Sequence, residues 1–187
     1  MVMELLAEAG LALRDLDGLA HGMGPGSFTG LRIACGVAQG LALGAGLPVL
    51  GVSTLEALAE ESGGERVAAC LDARMHEIYA GLYQRQGEGW RCLAGPLVCP
   101  PAAAPLPDKA GYVGAGSGFA AYPVLAERFA GRLVRIDATV FPHARAIARL
   151  AAPCFARGEG RPAEAAEPLY IRDKVALKIH ERVAPQS

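Results

Sequence analysis

The chain is poor in what most catalytic and nucleic-acid-binding domains need. Its formal net charge is −1 over 187 residues, so it lacks the basic surface by which a domain holds nucleic acid through bulk electrostatics. Its cysteines, Cys35, Cys70, Cys92, Cys99 and Cys154, are odd in number, scattered and without a Cys-x-x-Cys pair. They read as reduced, mostly buried thiols of a cytoplasmic protein. His21, His76, His143 and His180 show no His-x-x-x-His or His-Glu-x-x-His spacing, so no metal site is expected. No lysine follows the glycine-rich loop at 22–30, which is therefore not a Walker loop. Neither Ser27 nor Ser117 sits in a Gly-x-Ser-x-Gly elbow, the arrangement that would expose a nucleophile. The chain has neither the basic n-region nor the apolar h-region of a signal peptide. No catalytic residue is nominated.

What is present is apolar. Hydrophobic residues make up 52% and charged residues 20% of 19.4 kDa, enough to bury a core as one domain or two small lobes. The most telling stretch is 22–51. It opens with Gly22, Gly24, Gly26 and Gly30, positions that permit positive φ or close backbone approach. Ser27 or Thr29 suits the N-cap of the following helix. A glycine loop at a helix start can present free N–H groups to an anion, so Gly24, Gly26, Ser27, Thr29, Gly30 and Arg32 form a candidate anion or nucleotide site. Arg32 opposes the helix dipole, which makes sense beside an anion or a surface acid. Along the helix Gly36, Gly40 and Gly44 recur every four residues. Each helical glycine costs about 1 kcal/mol relative to alanine, so the row marks a face where another backbone comes close. Arg32, Gln39 and the Gly46-Leu47-Pro48 break leave too short an apolar span for a membrane crossing. The helix is expected to be buried on most of its circumference.

Taken in order, 1–10 reads as a helix stopped by Gly10, 16–23 as a strand, and the stretch to Val52 as a β-α-β unit with a parallel pair. Ser53 and Glu56 have capping-box spacing for the next helix. After Gly63-Gly64, residues 67–72, 77–83 and 90–98 form an antiparallel meander. Strands at 112–114 and 133–136 alternate with helices at 119–129 and 143–155, and 169–172 is a closing extended piece. Three antiparallel strands followed by alternating α and β elements is the order of a ribonuclease H-like lobe. Asp72 ends a strand and is expected to pair with Arg74; Arg135, Arg145, Arg149 and Arg157 read as a solvated face.

The string HGMGPGSFTGLRIACGVAQGLALGAGLPVLGVSTLEALA, with CLDARMHEIYAGLY at 70–83 and PLYIRDKVALK at 168–178, resembles the TsaB (YeaZ) family, bacterial proteins needed to make threonylcarbamoyladenosine in tRNA. The resemblance runs from about Met3 to Lys178, and GPGSFTG-x-R is its specific part. It implies an α/β fold of the actin-like ATPase (ribonuclease H-like) type. Family members open with two or three strands before the helix in which this chain begins, so about forty residues of that pattern are expected to be missing, the size of a hairpin plus a strand. The lobes would be 1–63, incomplete, and 64–173, followed by a tail at 174–187. The resemblance implies a non-catalytic scaffold that pairs with the TsaD transferase and works with the ATPase TsaE. It implies contact with tRNA only within the complex, a homodimer in isolation and no membrane. No cofactor is expected in isolation, with ATP or ADP at the partner interface as the exception. The expected pairing surface is Leu5, Leu6, Arg32, Gly36, Gln39, Gly40, Leu43 and Gly44. Two other readings compete: a nucleotide-hydrolysing or acyl-transferring enzyme using the glycine loop and Asp72, and a fragment from a misassigned start.

Overall fold

A computed structural model describes residues 2–172, so the expected tail at 174–187 lies outside the described residues. The chain builds two sheets. The first holds β1 (Leu19–Gly24) and β2 (Val49–Ser53), parallel as the β-α-β pattern requires, joined through α2 (Phe28–Ala45); α1 (Val2–Glu8) precedes them. The second holds five strands: β3 (Arg66–Asp72), β4 (Ile78–Gln86), β5 (Gly89–Cys99), β6 (Tyr112–Ala115) and β7 (Leu133–Asp137), in the order β5-β4-β3-β6-β7. The β3-β4-β5 meander is antiparallel, and β6 and β7 join parallel to β3. That order is the ribonuclease H-like lobe expected from the pattern of strands.

Helices cover both faces of each sheet. Cys35 and Ala42 of α2 pack beside Val49 on one face of the first sheet. Leu150 and Ala151 of α6 (Ala144–Ala156) pack beside Val52 on the other. Thus α6 follows the second sheet in sequence but packs on the first. Between the sheets, α3 (Thr54–Glu61) buries Leu55, Leu58 and Ala59 against Val67, Ala69 and Tyr83. The far face of the second sheet carries α4 (Gly118–Ala121) and α5 (Val124–Arg128); their Phe119 and Leu125, with Phe129 at the C-cap of α5, close over Cys70, Ile78 and Leu82. Glu60 of α3 accepts from Arg85 Nη1 at 2.6 Å and Trp90 Nε1 at 3.0 Å, fixing α3 to the meander.

Several local expectations are corrected. The helix expected at 119–129 is two short helices, because Pro123 cannot continue an α-helical ladder and biases Tyr122, at φ −134 and ψ 91, toward extended backbone. Ser53 caps α3 without a side-chain hydrogen bond, so the capping box is not closed. Cys35 and Cys70 are buried, but Cys99 and Cys154 are half-buried and Cys92 is exposed. The largest correction concerns α2. Of its 18 residues only Cys35, Ala38 and Ala42 are buried, so it shows the sheet one narrow stripe, with Leu31, Ala34, Gln39, Leu41 and Ala45 half-buried and the remaining residues exposed. By length and composition it is apolar enough to cross a membrane. Here its narrow stripe lies on the first sheet, and Gly46 ends it in the left-handed region at φ 66.

Candidate functional site

Two features could carry function: the open side of α2 and a cleft between the sheets. The α2 surface is glycine-floored. Among the described residues, a Cβ built on Gly36, Gly40 or Gly44 would meet nothing within 4 Å. Flanking them, Ile33, Val37 and Leu43 are 61%, 49% and 64% exposed. Leu5 of α1 is also exposed, whereas Leu6 turns inward and is buried, which removes it from the expected pairing surface. Gln39 is half-buried at the edge of the row.

Arg32 makes no ion pair with an acid among the described residues. Its guanidinium lies 3.5 Å from the centroid of the Phe28 ring and 5.5 Å from that of Tyr170. Stacking on an aromatic face offsets a cation placed against the helix dipole. Ser27 is the N-cap, and its Oγ accepts from the Gly30 N–H at a long 3.4 Å.

The cleft, about 710 Å³, brings Gly26, Ser27, Phe28 and Thr54 from the first lobe against Leu71, Asp72, Arg74 and Ser117 from the second. Leu169, Tyr170, Ile171 and Arg172 form one wall, and Phe141 another. Of the residues that the competing enzyme reading invokes, Gly26, Ser27 and Asp72 line this cleft. Gly24 is engaged by the chain itself: its φ is +119 and a Cβ there would stand 2.9 Å from the Leu169 carbonyl oxygen. Thr29 and Gly30 are exposed on the first turn of α2.

The polar groups of the cleft are largely satisfied locally. Asp72 Oδ1 accepts from the Arg74 N–H at 2.8 Å and from Tyr122 Oη at 3.0 Å, and Oδ2 lies 3.3 Å from Arg74 Nη1. Ser117 Oγ accepts from the Asp72 N–H at 3.2 Å. The expected pairing of Asp72 with Arg74 is therefore present, with Tyr122 as a third member that no spacing rule signals. The glycine turn at 114–118 has a packing cause: a Cβ on Gly116 or Gly118 would meet the Cys70 carbonyl oxygen at 2.6 and 2.9 Å. Three of the four arginines of the expected basic face are also locally paired. Arg145 bonds Glu61, Arg157 bonds Glu159, and Arg135 donates to the Ser62 carbonyl at 2.6 Å.

Sequence reasoning missed residues 169–172 as a wall of the cleft, since an extended piece without a ladder has no periodic signature. Its signal was the PLYIRD string within the family resemblance. His21 is 5% exposed on β1, neither ring nitrogen has a hydrogen-bond partner among the described residues, and burial lowers its pKa. Glu56 on α3 is held above the usual carboxylate range by burial and by the neighbouring Glu60.

Comparison with known proteins extends over nearly the whole chain. A family model described as TsaD, tRNA N6-adenosine threonylcarbamoyltransferase, matches residues 1–178. An Escherichia coli protein named tRNA threonylcarbamoyladenosine biosynthesis protein TsaB is 41% identical over 188 residues, covering 95% of this chain and 80% of the relative. Its Haemophilus influenzae namesake is 38% identical over 193 residues, covering 95% and 79%. The solved structure of YeaZ from Pseudomonas aeruginosa superposes with a TM-score of 0.83 at 47% identity, covering 91% of this chain and 80% of that one.

Proposed function

The chain belongs to the TsaB (YeaZ) family, within the wider family of the threonylcarbamoyltransferase model, and on that premise we propose that it is a non-catalytic subunit in the making of threonylcarbamoyladenosine on tRNA. In this reading it acts in the cytoplasm as a scaffold that pairs with a TsaD-type transferase through α2, in concert with the ATPase TsaE, and self-pairs through the same face when alone. The observation that carries the reading is the open row of Gly36, Gly40 and Gly44, flanked by exposed Ile33, Val37 and Leu43. Within one chain this row leaves three helical glycines without compensation, at about 1 kcal/mol each. A partner helix lying on the row would recover that cost through close backbone approach.

The non-catalytic part draws support from the cleft. Its carboxylate, Asp72, is held by Arg74 and Tyr122, and the glycines at 116 and 118 accommodate the chain's own backbone. One observation favours an enzyme instead: the cleft gathers Gly26, Ser27, Asp72 and Ser117 at one cavity. Titration calorimetry with ATP and magnesium separates the two, since tight metal-dependent binding by this chain alone would count against the scaffold.

The direct test is size-exclusion chromatography with light scattering on the chain mixed with its cognate TsaD-type subunit. The expected result is a heterodimer with the unaltered chain and separate peaks with Gly36→Leu. Co-elution that survives Gly36→Leu would move the interface elsewhere. Absence of pairing by the unaltered chain would remove the scaffold reading.

A further inference from the structure

Among the described residues, 169–172 pair with no strand, yet they are tied to both lobes. At the first lobe the Leu169 N–H donates to the Met23 carbonyl at 2.6 Å, and Gly24 is the residue that lets the Leu169 backbone come this near. Midway, the Tyr170 ring lies 6.0 Å from that of Phe28, the first residue of α2. At the second lobe, Arg172 Nη2 donates to the Ala73 carbonyl at 3.0 Å and to the Glu77 carboxylate at 2.5 Å. The Arg172 side chain is only 15% exposed, and its ring contact is with Tyr79 at 6.0 Å.

The turn that Arg172 grips is strained. Arg74, Met75 and His76 stand in succession at φ 60, 53 and 59. A left-handed residue other than glycine costs about 1–2 kcal/mol, and such residues normally occur singly. A run of three persists where its surroundings over-determine it. Here the surroundings are the Ala73 N–H to Glu77 carbonyl bond at 2.9 Å, the Glu77 N–H to Arg74 carbonyl bond at 3.0 Å, and the two Arg172 bonds that bracket them.

We propose that residues 169–172 are a latch that holds the two lobes closed over the cleft and couples the first turn of α2 to the β3–β4 turn. Release at either end frees both. At the first lobe the Met23 and Gly24 contacts and the Tyr170 stack hold the strap against the start of α2. At the second, the Arg172 bonds keep the left-handed turn from relaxing. The first contact and the last are three residues apart in sequence and lie on different sheets, so a loss at one shortens the lifetime of the other.

Hydrogen exchange on the full chain tests the latch, because its two ends can be altered separately. Gly24→Ala places a methyl 2.9 Å from the Leu169 oxygen at a left-handed position, in the first lobe and away from Arg172. It is expected to speed exchange at 73–77 in the second lobe by about tenfold, the scale of a local opening rather than global unfolding. Arg172→Ala is expected to do the same at Leu169 and at 30–32 in the first lobe, with central β3 and β4 unchanged. In the double variant the effects should fall short of their sum. Exchange that rises only at the altered end, in either single variant, overturns the latch. If Gly24→Ala does not fold cooperatively, Arg172→Ala decides alone: protection retained at Leu169 and at 30–32 refutes the coupling.

Discussion

On α2, no atom of the other described elements lies within 4 Å of where a Gly36 Cβ would stand, so against those elements a side chain there can only gain helix propensity. Gly36→Ala removes a helical glycine worth about 1 kcal/mol, and leucine is nearly as good a helix former as alanine. At roughly 2–4 °C per kcal/mol for a domain of this size, both variants should raise the melting temperature of the isolated chain by about that amount. The measurement needs low protein concentration, because self-pairing adds its own stabilisation by mass action. Pairing should respond in the opposite sense. Helices crossing over glycine come closer than the usual 8–10 Å, and an inserted leucine overpacks the contact by about 1–3 kcal/mol. That corresponds to roughly 5- to 150-fold in the dissociation constant, with alanine in between. A lowered melting temperature would show that the row is packed, not open. A raised melting temperature with unchanged affinity would show that the row is open but no partner uses it.

Three further outcomes follow from the structure. Burial depresses the pKa of His21 below its ordinary 6.5, so above that value it costs nothing, and as pH falls through it the unfolded chain takes up the proton first; stability should fall from pH 7 toward 5, and His21→Leu should flatten that slope. Glu56 behaves oppositely: its folded pKa is raised by burial and by Glu60, so its ionised form is disfavoured at neutral pH, and Glu56→Gln should raise the melting temperature at pH 7 with the gain vanishing toward pH 4. Met75→Gly should relieve left-handed strain at φ 53 and stabilise the chain by about 0.5–1 kcal/mol in urea titrations, after the entropy that glycine adds to the unfolded state; a loss would mean that the contact of Arg172 with the Met75 sulfur, at 3.5 Å, outweighs the strain.

The sequence by itself determined the order and type of the elements. Apolar period gave the β-α-β unit and the meander, and local chemistry gave the boundaries: Gly10 and Gly46 end helices at φ 67 and 66. It also exposed the glycine row, because repetition every four residues is a property of one helix and needs no neighbour. What it could not determine was which side of α2 the sheet would cover. An apolar, small-residue helix gives no amphipathic contrast, so the buried stripe of Cys35, Ala38 and Ala42 was chosen only when β1 and β2 packed beneath it. Tertiary structure likewise decided that Leu6 turns inward while Leu5 does not, that α6 crosses back to the first sheet, and that Tyr122 joins Asp72 and Arg74. It decided the use of Gly24 as well. A glycine in a loop suits an anion or a close backbone equally well from local chemistry, and the approach of Leu169, 145 positions later in the chain, exists only in the folded molecule.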